Sequence, residues 1–150
     1  MLNLQHQVQL EDSWCLPACA SIVCSYWEQP IYQGDLARWF GTSSIGTPAK
    51  NITALTKFGF EVTVKDGSLE LLRDLLLNNV PAILFVRTSD LPYWQVDTAH
   101  AIVIAGLDVD TVYIFDPAFE DTPKSVPIEE MMLAWSYFDY TLAIIKHNQQ

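Results

Sequence analysis

Residues 9–27, QLEDSWCLPACASIVCSYW, contain the transition from a polar segment to an apolar helix. Proline is tolerated only in the first turn of a helix, so Pro17 predicts that the helix begins close to Cys15. Asp12 and Ser13, just upstream, are candidate capping residues. The apolar residues that follow recur at helical spacing, which predicts a helix buried along one face. Cys15 would then lie at the positive end of the helix dipole, where the thiolate is favoured over the thiol.

A cysteine in this position has two interpretations. Beside apolar residues, a cysteine is more often a small packed hydrophobe than a nucleophile. Cys15 becomes a catalytic candidate only if the rest of the chain supplies a base and a group that orients the base. Gln9 precedes Cys15 by six residues, which is close enough for its side-chain amide to reach the same site.

The composition limits the class of protein. With 150 residues, the chain is predicted to form one domain, 1–150, with a substantial core. Half of its residues are hydrophobic and 17% are charged, which indicates a globular chain. The formal net charge of -10 argues against nucleic acid as a partner and is compatible with a basic peptide substrate.

The cysteines and the apolar runs indicate a cytoplasmic protein. Cys15, Cys19 and Cys24 would share one helix, where they cannot easily bridge one another, so a reducing compartment is expected. The N-terminus has no signal-peptide pattern. No apolar stretch is long enough to span a bilayer, so no membrane span is expected in this chain.

The remaining pattern predicts helices mainly in the first half and strands mainly in the second, which is an α+β class. Thr47 and Ser68 are predicted to cap helices, and Pro48 to occupy a first helical position. The predicted helices after the first are 34–40, 48–57, 69–77 and one starting at 127; the predicted strands are 60–65, 82–87, 100–107, 111–116 and 140–145.

The stretch 98–119, TAHAIVIAGLDVDTVYIFDPAF, supplies the missing partners. A hairpin turn centred on Asp108 would place position 100 opposite position 116. His100 and Asp116 would then project from the same face at hydrogen-bonding distance. A register slip of one residue would place them on opposite faces, so the prediction depends on the register.

Together these residues have the form that cysteine catalysis requires. A neighbouring imidazole holds the thiolate as an ion pair, and a carboxylate on the other ring nitrogen fixes the tautomer and orientation of that imidazole. The oxyanion of an acyl intermediate would be stabilised by N–H groups at the start of the helix and by the Gln9 amide. Zinc is the competing use of cysteine and histidine, but no fourth ligand completes a site with Cys15, Cys19 and His100. No metal or other cofactor is expected.

The sequence resembles the papain-like peptidases that process bacteriocin precursors at a double-glycine leader. The resemblance is carried by four features in this order: Gln9, CLPACASIVCSYW, AHAIVIAGLD and VYIFDPAF. The resemblance extends from about residue 9 to residue 145. It implies a papain-like cysteine peptidase fold, in which an N-terminal helical half carrying the nucleophile packs on a C-terminal antiparallel β-sheet half carrying the base. It also implies Cys15 as nucleophile, His100 as base, Asp116 as orienting residue and Gln9 as oxyanion donor.

The same resemblance guides the expectations for substrate and partners. The residue after the nucleophile is commonly glycine in such sequences and is Leu16 here, which is expected to reshape the floor of the substrate groove. Trp14 is a further candidate for substrate binding, as is Trp94, whose aromatic loop is suited to form a groove wall. Members of the family are often domains of export transporters, so association with an export or membrane partner is an expectation alongside the peptide or protein substrate.

The leading hypothesis is a peptidase that cleaves a peptide bond through a Cys15 thioester. A catalytically silent peptide-binding module of the same fold is one alternative. Acyl transfer to an amine instead of water is another, because it uses the same residues.

Overall fold

The computed structural model describes residues 1–147; the last three residues of the predicted domain, 148–150, lie outside the described part. The described part has four α-helices: α1 Cys15–Tyr26, α2 Gln33–Trp39, α3 Leu69–Leu77 and α4 Ile128–Ser136. Two further segments of residues 1–147 are 3₁₀ helices, Ala49–Phe58 and Thr88–Asp90. The same residues form six strands: β1 Phe60–Asp66, β2 Ala82–Arg87, β3 Ala99–Leu107, β4 Thr111–Phe115, β5 Lys124–Pro127 and β6 Thr141–His147.

The strands form one antiparallel sheet in the order β1-β6-β2-β3-β4-β5, and helices cover both of its faces. The first face packs on α1, α2 and the longer 3₁₀ segment, and the second face packs on α3 and α4. Because both faces are covered, β2 and β3 are nearly continuous apolar runs, a pattern typical of strands buried on both faces. None of the helices in residues 1–147 combines the length and apolarity needed to cross a membrane.

Helix α1 begins at Cys15, as predicted, but its predicted capping residues are wrong. Trp14 is the N-cap, and no side chain caps the helix, so neither Asp12 nor Ser13 satisfies its first N–H groups. The N-terminus of α1 therefore keeps backbone donors that a capping side chain would have occupied.

The two other predicted caps have different outcomes. Ser68 caps α3 as predicted, because its Oγ accepts a hydrogen bond of 3.0 Å from the N–H of Leu71. Thr47 does not cap the segment that follows it, since its hydroxyl pairs with that of Thr42. Pro48 is the N-cap of that segment instead of its first helical residue.

The hairpin of β3 and β4 brings His100 and Asp116 together, although not in direct opposition. Val103 pairs with Phe115, and continuing this register by one residue places Ile102 opposite Asp116. The predicted direct pairing of position 100 with position 116 is therefore wrong by two residues. The shift preserves the common face because side chains alternate along a strand with a period of two.

A β-bulge at Ala105 decides which face His100 occupies. The register at the turn pairs Leu107 with Val112. Continued without a bulge, that register would place His100 and Asp116 on opposite faces. One extra residue in β3, between the pairs on either side of the bulge, restores the common face.

The sequence analysis missed strand β5, which pairs with β4 and ends at the N-cap of α4. Pro127 was predicted to start a helix, and it is both the last residue of β5 and that N-cap. Four residues are too few to establish an alternating pattern, so only the pairing with β4 identifies this strand.

Replacing Ser68 with Ala tests the cap of α3. The variant is expected to lose about 1 kcal/mol of unfolding free energy, because the N–H of Leu71 loses its acceptor. Urea unfolding followed by circular dichroism measures the change. Ser136→Ala, which removes an exposed hydroxyl bonded within α4, is the control and is expected to change stability by less than about 0.5 kcal/mol. Equal losses in the two variants would contradict the assignment.

Candidate active site

Cys15 lies at the N-terminus of α1, beside the first residues of β3. It is partly buried, and its thiol interacts with the imidazole of His100 and with the N–H groups of Ala101 and Leu16. Burial alone would raise the pKa of the thiol. These partners outweigh that effect and lower the pKa of Cys15 below its ordinary value, because each of them stabilises the thiolate.

His100 and Asp116 form a buried hydrogen bond. His100 Nε2 lies 2.7 Å from Asp116 Oδ1, and the two side chains are 4% and 0% exposed. Because Nε2 is engaged by the carboxylate, the other ring nitrogen, Nδ1, remains for the thiol of Cys15. The carboxylate thereby fixes both the tautomer and the orientation of the imidazole.

The electrostatics of this group favour an ion pair. Burial would lower the pKa of His100, but Asp116 and Cys15 raise it to about 9. Burial would raise the pKa of Asp116, but the His100 imidazole and other donors lower it. The lowered thiol pKa and the raised imidazole pKa both favour the pair of thiolate and imidazolium over the pair of neutral groups.

Two aromatic residues that the sequence analysis did not assign to this group complete the contacts of Asp116. The Tyr93 hydroxyl and the Trp94 Nε1–H donate to Oδ2 at 2.7 and 2.9 Å. The N–H of Ala118 donates to Oδ1 at 2.9 Å. The sequence does show two aromatic residues with polar hydrogens in the loop before β3, the strand that carries His100. It does not show that they contact a carboxylate 22 or 23 residues later.

Gln9 is held by an N-terminal segment that crosses the site. Its N–H donates to the carbonyl of Pro117 at 2.8 Å, next to Asp116. Gln33, which is buried in α2, bonds to the carbonyl of Val8 and to the N–H of Leu10, the two neighbours of Gln9. Gln33 was also missed by the sequence analysis, because nothing in its local pattern indicates a contact with a segment 23 to 25 residues earlier.

The side-chain amide of Gln9 is engaged with its own loop. Nε2 donates to the carbonyls of Glu11 and Asp12 at 3.1 and 2.9 Å. Its Oε1 is buried and has no hydrogen-bond partner within residues 1–147. Both N–H groups of the amide are therefore used in this state.

These residues border a groove of about 320 Å³. Trp94 lies on its wall, and its ring also contacts that of His100 at a centroid distance of 4.9 Å. The groove is lined by Gln9, Asp12, Ser13, Cys15, Ser44, Ile45, Gly46, Trp94, Thr98, Ala99 and His100.

The two neighbours of Cys15 are not on the groove. Leu16 is 2% exposed and packs in the core between α1 and the sheet, so the expectation that it forms the groove floor is corrected. Its side chain points into the core because Leu16 follows Cys15 on a helix that is buried along one face. Trp14 is half-buried at the N-cap of α1 and is likewise not among the residues that line the groove.

The thiols of the other two cysteines differ from that of Cys15 in burial and in the direction of their pKa shift. Cys19 and Cys24 are fully buried, and burial raises the pKa of both, to about 12 for Cys24. All three cysteines are free. In residues 1–147, no group of three or more His, Cys, Asp or Glu side chains is arranged to hold a metal ion.

Solved structures of low sequence identity share this fold. A C39-like peptidase from Bacillus anthracis is 18% identical, covers 96% of this chain and 94% of its own, and has a TM-score of 0.80. The peptidase domain of Streptococcus ComA, a bifunctional ABC transporter involved in quorum sensing, is 20% identical over 98% of this chain and 99% of its own, with a TM-score of 0.78. A double glycine motif protease from an AMS/PCAT transporter, solved with its leader peptide, is 21% identical over 97% and 92%, with a TM-score of 0.76.

The similarity of these structures confirms the predicted papain-like cysteine peptidase fold. Among curated proteins, none matches the sequence. The family model described as the Peptidase C39 like family matches residues 1–142. The chain therefore belongs to the C39-like peptidase family, whose double-glycine members the sequence resembles.

Proposed function

We propose that this protein is a papain-like cysteine endopeptidase in which Cys15, His100 and Asp116 form a catalytic triad. The observation that carries the proposal is the chain of contacts from a thiol with a lowered pKa, through one imidazole, to a buried carboxylate. Cys15 and His100 both open onto the same groove, where a peptide can reach them. Binding alone would not require a thiolate with this electrostatic support, so hydrolysis is favoured over a catalytically silent binding module.

The reaction begins with attack of the Cys15 thiolate on the carbonyl carbon of the scissile peptide. The C–N bond breaks as the imidazolium of His100 gives its proton to the leaving amine, and a thioester remains on Cys15. Water, deprotonated by the now neutral His100, then hydrolyses the thioester and releases the acid. An amine in place of water would give acyl transfer through the same residues.

Gln9 and the uncapped N-terminus of α1 are the proposed oxyanion donors. The N–H groups of the helix start, which no side chain caps, lie beside Cys15. The Gln9 amide contributes when one of its N–H groups exchanges the carbonyl of Glu11 or Asp12 for the oxyanion. A donor of this kind stabilises the transition state by about 3 kcal/mol.

The proposed substrate is a peptide or protein with a double-glycine-type leader site. The relatives include a protease solved with a leader peptide and the peptidase domain of an ABC transporter. By this analogy we propose a cytoplasmic location and association with an export partner.

Replacing Cys15 with Ala is expected to abolish both peptide hydrolysis and labelling by iodoacetamide, because the nucleophile is removed. The assay measures cleavage of peptides with and without tandem glycines by mass spectrometry. Cys24→Ala is the matched control, since it removes a buried thiol from the same helix. It should retain both peptide hydrolysis and labelling by iodoacetamide. Persistent labelling of the Cys15→Ala variant in its folded state would show that another cysteine is the nucleophile.

The pH dependence of kcat/KM is expected to be bell-shaped. The thiolate needs Cys15 to lose its proton, so the acid limb lies below the range of an ordinary thiol. The imidazolium needs His100 to keep its proton, so activity falls as pH rises through about 9.

Asp116→Asn tests the basic limb of that profile. Asparagine removes the negative charge that raises the pKa of His100, so the limb should move to lower pH and kcat/KM should fall roughly 10²–10⁴-fold. A basic limb that stays near pH 9 in the variant would contradict the assignment of Asp116.

A further inference from the structure

We infer that Tyr93 and Trp94 are positioning residues, which hold Oδ2 of Asp116 so that Oδ1 faces His100. The inference rests on the proposed function and assigns a role to two residues outside the proposed triad. It starts from the distances around the carboxylate. Oδ1 accepts hydrogen bonds from the His100 imidazole and the Ala118 N–H. Oδ2 accepts hydrogen bonds from the Tyr93 hydroxyl and the Trp94 indole N–H.

These four donors use the full accepting capacity of the carboxylate. An ionised carboxylate has about four lone-pair sites, and each is matched by one donor here. Asp116 is completely buried, so a lost donor cannot be replaced by bulk water at no cost. With Oδ2 held, the carboxylate cannot rotate away from the imidazole.

The loop that carries both aromatic residues is itself fixed at its base. Thr88 is fully buried; its Oγ1 donates to the carbonyl of Val96 at 2.6 Å and accepts from the N–H of Thr98 at 2.9 Å. The N–H of Trp94 donates to the carbonyl of Leu91, which is buried in the core. The loop therefore places the Tyr93 and Trp94 donors before any substrate arrives, which is the condition for preorganisation.

Aromatic packing shields the contact from water. The Trp94 ring lies edge-on to His100, and Phe119 lies edge-on to the rings of both Tyr93 and Trp94 at 5.3 Å. Burial and the Asp116 charge raise the pKa of Tyr93, so its hydroxyl keeps its proton across the working pH range. Excluding water strengthens the hydrogen bonds within the cluster.

Tyr93→Phe is the direct test, because it removes one hydroxyl and keeps the ring. Tyr113→Phe is the matched control: Tyr113 also donates to an aspartate, Asp108, but on the exposed turn of the same hairpin. Relative to the control, Tyr93→Phe is expected to lower kcat about tenfold with KM changed less than about twofold, since the residue acts through Asp116 and not on the substrate. Trp94→Phe is the second variant and should lower kcat in the same way; because Trp94 also lines the groove, its KM is not part of the test.

The pH dependence of Cys15 alkylation by iodoacetamide gives a second readout that needs no peptide substrate. A donor removed from Oδ2 raises the pKa of Asp116 and loosens the imidazole against the thiolate, so the acid limb of alkylation should move to higher pH. The other titratable groups near the pair are Asp12 on the groove, Cys19 beneath Cys15, Lys124 over the Tyr93 ring, and His6, whose Nε2 lies 2.7 Å from the carbonyl oxygen of Phe119. Tyr93→Phe leaves these groups in place. The control variant, Tyr113→Phe, removes the same kind of hydroxyl elsewhere, so a shift seen only in Tyr93→Phe comes from the contact with Asp116.

The outcomes separate the inference from the proposed function. A lowered kcat together with a shifted acid limb supports the positioning role. Kinetics and an acid limb identical to those of Tyr113→Phe overturn it. A loss of unfolding free energy without a shift of the acid limb also overturns it, because the residues would then be merely structural. If the unmodified protein alkylates at Cys15 but cleaves no peptide, the proposed function fails, while the alkylation profile still decides the role of Tyr93 and Trp94.

Discussion

The hydrogen bond between His100 and Asp116 places two ionisable groups in a region almost free of water. Burying either charge alone would be costly, and the effective penalty is several kcal/mol per ion. Each group is therefore stable there only with partners: Asp116 has four donors, and His100 has the carboxylate on one side and the thiol on the other. The lowered pKa of Cys15 depends on this arrangement, because the charge that stabilises its thiolate is the imidazolium.

The N-terminus of α1 departs from the usual preference for a capping side chain. Asp12 and Ser13 have the chemistry of capping residues, and a cap would have stabilised the helix by about 1 kcal/mol. Neither caps it, and Trp14 occupies the N-cap without a side-chain bond. The uncapped N–H groups remain beside the thiol, where the proposed oxyanion forms. Under the proposed function, the departure from local propensity at this position serves the oxyanion.

Much of the fold could be predicted because local sequence signals mark several of its elements. Helix α3 and strand β2 have the predicted bounds, because their apolar periodicity and the Ser68 cap are local signals. Cys15, His100 and Asp116 could be proposed as one group because cysteine chemistry requires a base and an orienting carboxylate. Leu16 was misplaced, since a residue beside a nucleophile is not thereby on the substrate side of a helix. Strand β5 was missed, since four residues carry no periodicity.

The sequence alone determined where the helix that carries Cys15 begins, where most of the strands lie, and which residue types can support a thiolate. Tertiary structure decided the register: the bulge at Ala105 places His100 on the face of Asp116, and a continuous apolar run does not reveal where its extra residue lies. It also decided the partners of Asp116. Tyr93 and Trp94 reach the carboxylate from a loop whose base is held between two strands by the buried Thr88. Contacts between residues far apart in the chain depend on packing, and packing is a property of the whole fold.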